Sequence, residues 1–339
     1  MRYRRLGSSD LEVSEISLGS WLTFAGGVGF EQTRACTEAA FDAGINLFDT
    51  ADVYGAGESE EIVGKALAGG RREDVVLATK FHNPMGEDPN RRGNSRRWIM
   101  RAVEDSLRRL NTDWIDLYQV HRPEPGTDIE ETLSALTDLL HQGKVRYIGS
   151  STFPASQIVE AQWTARDQRL QRFVTEQPPY SILVRGVEAD VLPTCARHGM
   201  AVMSYSPLAG GWLSGRWRKD AGQQTSSRAG RLPERFDLAN QYNQRKLDAV
   251  EELAQLAEEA GLTLIQLAIG FAQSHPAITS PLIGPRTMEH LETQLAAADV
   301  VLSDDVLDRI DEIVPPATTI NPADSSFNNP ALEPAARRR

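Results

Sequence analysis

Asp49, Tyr54, Lys80 and His121 stand where short apolar runs give way to polar sequence. Asp49 closes Ile45–Phe48, Tyr54 follows on the next loop, Lys80 closes Val75–Thr79 and His121 closes Ile115–Val120. Charged side chains are almost never buried unpaired, so Lys80 needs a partner, and Asp49 on the neighbouring run is the natural one. An ammonium beside a phenol favours the phenolate and lowers the phenol's pKa from about 10 toward the working range. Tyr54 then becomes a usable general acid toward a carbonyl oxygen that gains negative charge, and His121 can hydrogen-bond and orient the same oxygen. Taken singly, Lys80 reads as a solvated strand end and His121 as a structural histidine. Three ionisable groups on successive strand ends do not read as core packing. His82 and Arg122, beside them, read as loop residues without a role. The set suits carbonyl reduction if a hydride donor lies next to it.

The elements that must position these groups alternate along the chain. Eight strand-like runs are read at Ile16–Leu18, Ile45–Phe48, Val75–Thr79, Ile115–Val120, Val145–Ile148, Phe173–Glu176, Ala201–Ser204 and Ile278–Ile283. Helical patterns lie between and after them, for example from Ser95, a plausible N-cap, to Leu110, with Ile99, Val103, Leu107 and Leu110 at core spacing. Strands alternating with helices imply a parallel sheet, and eight such units fit a closed barrel of about 250 residues plus insertions. In such a barrel the site lies where the strands end. No Gly-x-Gly-x-x-Gly follows a strand, which counts against a doubly wound dinucleotide fold.

The expected fold is therefore α/β, a (β/α)8 TIM barrel. An N-terminal β-hairpin around Gly7-Ser8-Ser9-Asp10 plugs one end, and extra helices follow at the C-terminus. Residues 1–314 are read as one domain. The Pro/Ala/Asn-rich residues 315–339 are read as a flexible tail. Trp212–Asp237 is polar and without period, as a functional or mobile loop would be.

With 36 basic against 47 acidic residues the net charge is −11, which disfavours binding to nucleic acid or anionic membrane. Any anionic ligand needs its own local basic cluster. The two cysteines, Cys36 and Cys195, match neither a disulfide framework nor a metal-ligand spacing, so no metal is expected. No apolar run could span a bilayer and no h-region follows the N-terminus; a cytoplasmic location is expected by default.

Several stretches together resemble the aldo-keto reductases: 44–55, 78–81, 116–123, 143–153, 177–180, 205–211 and 283–291. The similarity runs from about Tyr3 to Ile313. It is greatest for the branch that includes potassium-channel β subunits and many bacterial reductases. The resemblance implies a catalytic tetrad of Asp49, Tyr54, Lys80 and His121 and NADPH/NADP+ as cofactor, with NADH less favoured. It places nicotinamide carboxamide contacts at Ser151, Thr152 and Gln177, the stacking aromatic at Tyr205, and the pyrophosphate along Ser206, Pro207, Leu208 and Gly210. Gly284 and Arg286 match the adenosine 2′-phosphate site, a place a planar guanidinium suits. Arg216 could reach over the nucleotide, with further cofactor contacts at Ser20, Trp21 and His290.

Two departures stand out. Thr152 occupies a position where relatives often carry Asn or Arg. Thr293 and Gln294 replace the usual Glu-Asn at the adenine, which implies a weaker grip there. The substrate pocket is expected from Trp21, Phe24, Tyr54, Phe81 and Trp212, for a small-molecule carbonyl. Oligomeric state has no signal in the sequence. A cofactor-binding regulatory module is the alternative of a different class. A glycosidase needs two acids flanking a sugar, whereas this set is Asp, Lys and His.

Overall fold

The computed structural model describes residues 1–21, 29–220, 229–326 and 334–338. The expected Phe24 contact lies outside these described residues.

An antiparallel hairpin of β1 (Tyr3–Arg5) and β2 (Glu12–Ser14) opens the chain, pairing Arg4 with Val13. Buried Leu6 and Val13 join Leu47, Val76, Ala78, Leu117, Ala201 and Met203 in a cluster inside the barrel. Gly7 has φ 60°, and a Cβ there would collide with Val174 O, Ala201 N and Gly199 O. The turn can press against the barrel end only because position 7 lacks a side chain.

Eight parallel strands follow: β3 (Ser17–Gly19), β4 (Leu47–Asp49), β5 (Val76–Phe81), β6 (Ile115–Val120), β7 (Val145–Ser151), β8 (Thr175–Gln177), β9 (Ala201–Val202) and β10 (Leu282–Ile283). They pair in chain order, with β10 beside β3. Parallel bridges Val202–Ile278 and Tyr205–Leu282 bring the two edges together and close the ring. The (β/α)8 barrel, its hairpin and its late helices are as the alternating pattern implied.

Helices α1 (Phe30–Asp42), α2 (Glu58–Ala66), α3 (Arg96–Leu110), α4 (Ile129–His141), α5 (Ala155–Asp167) and α6 (Val191–His198) cross between strands. Then come α7 (Gln241–Glu259), α8 (Leu264–Ser274), α9 (Met288–Leu295) and α10 (Asp304–Ile313). Local sequence sets their ends. Ser95 Oγ accepts Trp98 N–H, Asp128 accepts Glu130 N–H, and Thr263 with Gln266 forms a reciprocal capping box. The inward face of α3 buries Ile99, Val103, Leu107 and Leu110, the residues its spacing singled out.

Two late segments carry contacts that composition does not announce. Within the tail read as flexible, residues 318–321 make regular backbone and side-chain contacts with the barrel. Arg185 N–H donates to Thr318 O at 2.8 Å, Ile320 N–H to Leu183 O at 3.1 Å, and buried Asn321 bonds Glu234 O and Asn243 Oδ1. Extended backbone pairing needs no apolar period, so composition did not announce it. The aperiodic segment 212–237 carries an aromatic stack at its two described ends. Trp212 and Trp217 rings lie 4.2 Å apart, with Phe236 6.1 Å from Trp212.

Candidate active site

Strand alternation decides which side chains reach the barrel mouth. On β5, Lys80 points inward and is fully buried. Its Nζ donates to Asp49 Oδ2 at 2.6 Å and to Thr50 O at 2.8 Å, so the ammonium is paired across adjacent strands as expected. Phe81, the next residue, points the other way, with its ring 4.9 Å from Tyr118 among the helices. It is core and not pocket, which corrects the sequence expectation.

Asp49 is braced from its other side as well. Gln177 Nε2 donates to its Oδ1 at 2.9 Å and Gln119 Nε2 to the same oxygen at 3.2 Å. The Tyr54 ring lies 5.2 Å from Lys80 Nζ, 5.7 Å and edge-on from the His121 ring, and 6.5 Å from Trp21. Asn83 Nδ2 lies 3.0 Å from His121 Nδ1. With the amide nitrogen as donor, Nδ1 accepts and Nε2 carries the ring proton.

The electrostatics depart from the sequence argument at one point. Burial pushes the Tyr54 phenol above its usual value; Lys80 pulls it down, but Asp49 opposes that pull and the net shift is upward. Burial also favours a neutral Lys80, yet Asp49 and then Tyr54 outweigh it and hold the ammonium above its usual range. His121 is held well below its usual range by burial, then by Arg122 and Lys80. At neutral pH the set is thus a phenol, an ammonium and a neutral imidazole. Close by, burial and then Glu60 raise Asp52 well above the usual carboxylate range, against the pull of Arg109 and the Val53 backbone.

These groups lie on a cavity of about 730 Å³. Asp49, Tyr54 and His121 line it, while Lys80 stands behind them. Of the residues expected at the cofactor, Ser20, Trp21, Ser151, Gln177, Tyr205, Ser206, Pro207, Leu208, Gly210, Arg216, Gly284, Arg286, His290, Thr293 and Gln294 all line the same cavity. Thr152 is not on that wall. Its φ is 59°, and its Oγ1 accepts from Arg122 Nη1 at 3.1 Å.

Trp212 is the second correction to the pocket. It is fully buried; its Nε1 donates to Arg235 O at 3.2 Å, and Lys246 Nζ sits 4.5 Å from its ring. A large indole with a satisfied N–H and a cation on its face anchors the segment and does not meet ligand.

Four residues escaped the sequence reading. Gln119 shares a strand face with His121, so period-two counting would have found it. Asn83 and Arg122 lie on the cavity in loops with no period. Arg122, read as without a role, donates to His121 O at 2.6 Å and fixes the backbone beneath that ring. Glu60, fully buried on α2, accepts from Thr79 Oγ1 at 2.6 Å and Arg109 Nε at 2.7 Å. Among the described residues no His/Cys/Asp/Glu cluster suits a metal, and no helix is long and apolar enough to cross a membrane.

A closed barrel with such a mouth defines a class, and comparison with known proteins gives the same one. The chain matches the Aldo/keto reductase family over residues 15–315 and belongs to that family, which places it among the oxidoreductases. It is 36% identical to a "Probable voltage-gated potassium channel subunit beta" of Arabidopsis thaliana, over 93% of this chain and 97% of that one. It is 39% identical to "Uncharacterized oxidoreductase YrpG" of Bacillus subtilis (strain 168), over 93% and 96% respectively. A "Putative voltage-gated potassium channel subunit beta" of Schizosaccharomyces pombe (strain 972 / ATCC 24843) is 35% identical over 92% and 93%.

Proposed function

We propose that this protein reduces aldehydes or ketones to alcohols with NADPH, using Tyr54 as general acid. The observation that carries the reading is the pairing of buried Lys80 with Asp49 at 2.6 Å directly beside the Tyr54 ring, where Asp49 and Tyr54 line a cavity of about 730 Å³.

The residues present suit NADP(H). Arg216, Arg286 and His290 line one region of the cavity, and burial, then the two guanidiniums, hold the His290 ring below its usual range. Glu289 lines the same region and opposes that shift, and planar guanidiniums suit a phosphate in an otherwise acidic chain. Positive φ at Ser206, Ala209, Gly210 and Gly211 bends the intervening backbone into a turn along the wall, as a pyrophosphate requires. Ser151 and Gln177 reach the cavity near Asp49 for the carboxamide, and Tyr205 offers a ring face for the nicotinamide.

When bound, the nicotinamide supplies the hydride. The chain's own part is to hold the carbonyl oxygen and to protonate it. His121, neutral and with its proton on Nε2, donates to that oxygen without adding a competing charge. Tyr54 is a phenol at neutral pH and delivers its proton as negative charge builds. The adjacent Lys80 stabilises the phenolate that remains, and Asp49 keeps Lys80 charged in a buried place. Trp21, 43% exposed at the rim and tilted 48° to the Tyr54 ring, provides an apolar wall for the substrate.

NADPH absorbance followed with a reactive aromatic aldehyde tests this directly. Wild type should consume NADPH, and Tyr54→Phe should lose about a thousandfold in kcat while binding NADPH within about twofold. Full activity in that variant overturns the assignment of the acid.

A second reading, an NADPH-binding regulatory module with little turnover, is favoured by the names of two relatives above. Tight NADPH binding without aldehyde reduction in the wild type would select it.

A further inference from the structure

Glu176 precedes Gln177 on β8, and its side chain is fully buried outside the tetrad. Its Oε1 accepts Phe153 N–H at 3.1 Å, and its Oε2 meets Ser150 Oγ. These contacts flank the turn that leaves β7. Between them Thr152 adopts a φ of 59°, a left-handed conformation that a β-branched residue keeps only if its surroundings hold it there. On the same turn Ser151 Oγ donates to Gln177 O at 2.9 Å, and Thr152 N–H donates to that oxygen at 3.2 Å. Gly149 lets β7 and β8 approach this closely, since a Cβ there would clash with Thr175 Oγ1.

We propose that Glu176 is a positioning residue whose protonated carboxyl clasps the Ser150–Phe153 turn and thereby sets Ser151 and Gln177 against the cofactor. The proposal rests on the reading of those two residues as carboxamide contacts.

A carboxylic O–H at Oε2 can donate to Ser150 Oγ, which passes its own proton toward Thr175 O at 3.4 Å. Oε1 retains the Phe153 N–H, so every polar atom is satisfied without burying an ion. Burial pushes this acid up to about 7, against hydrogen bonds from Ser150 and the Phe153 and Thr152 backbone and the positive charge of Arg122 after β6. From α6 the Cys195 thiol faces it, raised by its own burial and by Glu176, and therefore neutral. Opening the turn hydrates the carboxyl and returns it toward its ordinary range. The closed turn is accordingly the state that holds the proton, and it weakens as pH rises through the transition.

The test measures NADPH affinity by fluorescence from about pH 6 to about pH 8.5 in wild type and Glu176→Gln. The amide reproduces the protonated acid, with one donor toward Ser150 and one acceptor for Phe153. Wild type should lose about fivefold in affinity over that range while the variant keeps its low-pH affinity throughout. His290 titrates alike in both proteins and drops out of the comparison. Equal slopes in the two proteins, or weaker binding by the variant at every pH, would overturn the clasp.

Hydrogen exchange without nucleotide decides the matter independently. The Phe153 amide, corrected for its intrinsic exchange rate, should lose protection over the same pH range in wild type. Flat or rising protection there overturns the proposal without recourse to any variant. If wild type binds no NADPH at any pH, the carboxamide reading fails, and the Phe153 exchange profile alone judges the clasp.

Discussion

Gln177 and Lys80 grip opposite oxygens of one carboxylate, Gln177 Nε2 on Asp49 Oδ1 at 2.9 Å and Lys80 Nζ on Oδ2 at 2.6 Å. A residue expected at the nicotinamide is thereby tied to the acid of the tetrad. Gln177→Ala should weaken NADPH binding and lower kcat together, each by about tenfold, the scale of a lost hydrogen bond to a charged group. Gln119→Ala removes only the 3.2 Å bond to the same oxygen and should lower kcat while leaving NADPH affinity intact. Fluorescence titration and steady-state kinetics on both variants check this, and identical profiles would refute it.

Removing the ammonium should cost stability as well as chemistry. Lys80→Met strands the Asp49 carboxylate in a buried site, at about 3–5 kcal/mol. Adding Asp49→Leu should recover most of that stability and none of the activity. Urea unfolding of the single and double variants measures the first effect, and aldehyde reduction the second.

Arg286 distinguishes the two nicotinamide nucleotides. Arg286→Ala should weaken NADPH by more than about tenfold and NADH by less than about twofold, because only NADPH carries the additional phosphate. Equal losses for both would remove Arg286 from that role.

The pH profile of turnover follows from the directions of the shifts. His121 is held well below its usual range, so it is already neutral at pH 6 and gives no limb near neutrality. Tyr54 is raised above its usual value, so its proton is kept until the solution is strongly alkaline. At saturating NADPH, kcat should be flat from about pH 6 to about pH 9 and fall only above that. A break near neutrality that persists in Glu176→Gln would show that a different group donates the proton.

Much of this site was legible because charge at the end of an apolar run is conspicuous. Asp49, Lys80 and His121 announced both the strands and the mouth of the barrel, and the pairing of the first two followed from the cost of an unpaired buried charge. Phe81 was misplaced although strand alternation, having put Lys80 inward, already sends its neighbour outward. Trp212 could not have been placed in this way, since its partners Trp217, Phe236 and Lys246 follow no period. The direction of the Tyr54 shift was missed for another reason. Sequence supplied the neighbouring cation, but the balance turns on burial, which belongs to the folded chain. The packed run from 315 to 326 was hidden because backbone pairing leaves no trace in composition.

That run alters where the pocket's ownership lies. Lys246 holds Asp324 at 2.9 Å, Arg235 donates to Ser326 at 3.2 Å, and Arg235 and Ser326 are both on the cavity wall. The family match covers residues 15–315, which hold every residue of that wall except Ser326. Truncation after residue 315 should therefore leave the barrel strands intact and open the cavity on the side where Ser326 meets Arg235. The cavity thus borrows one wall residue, Ser326, from beyond the barrel's own units, held there by Arg235.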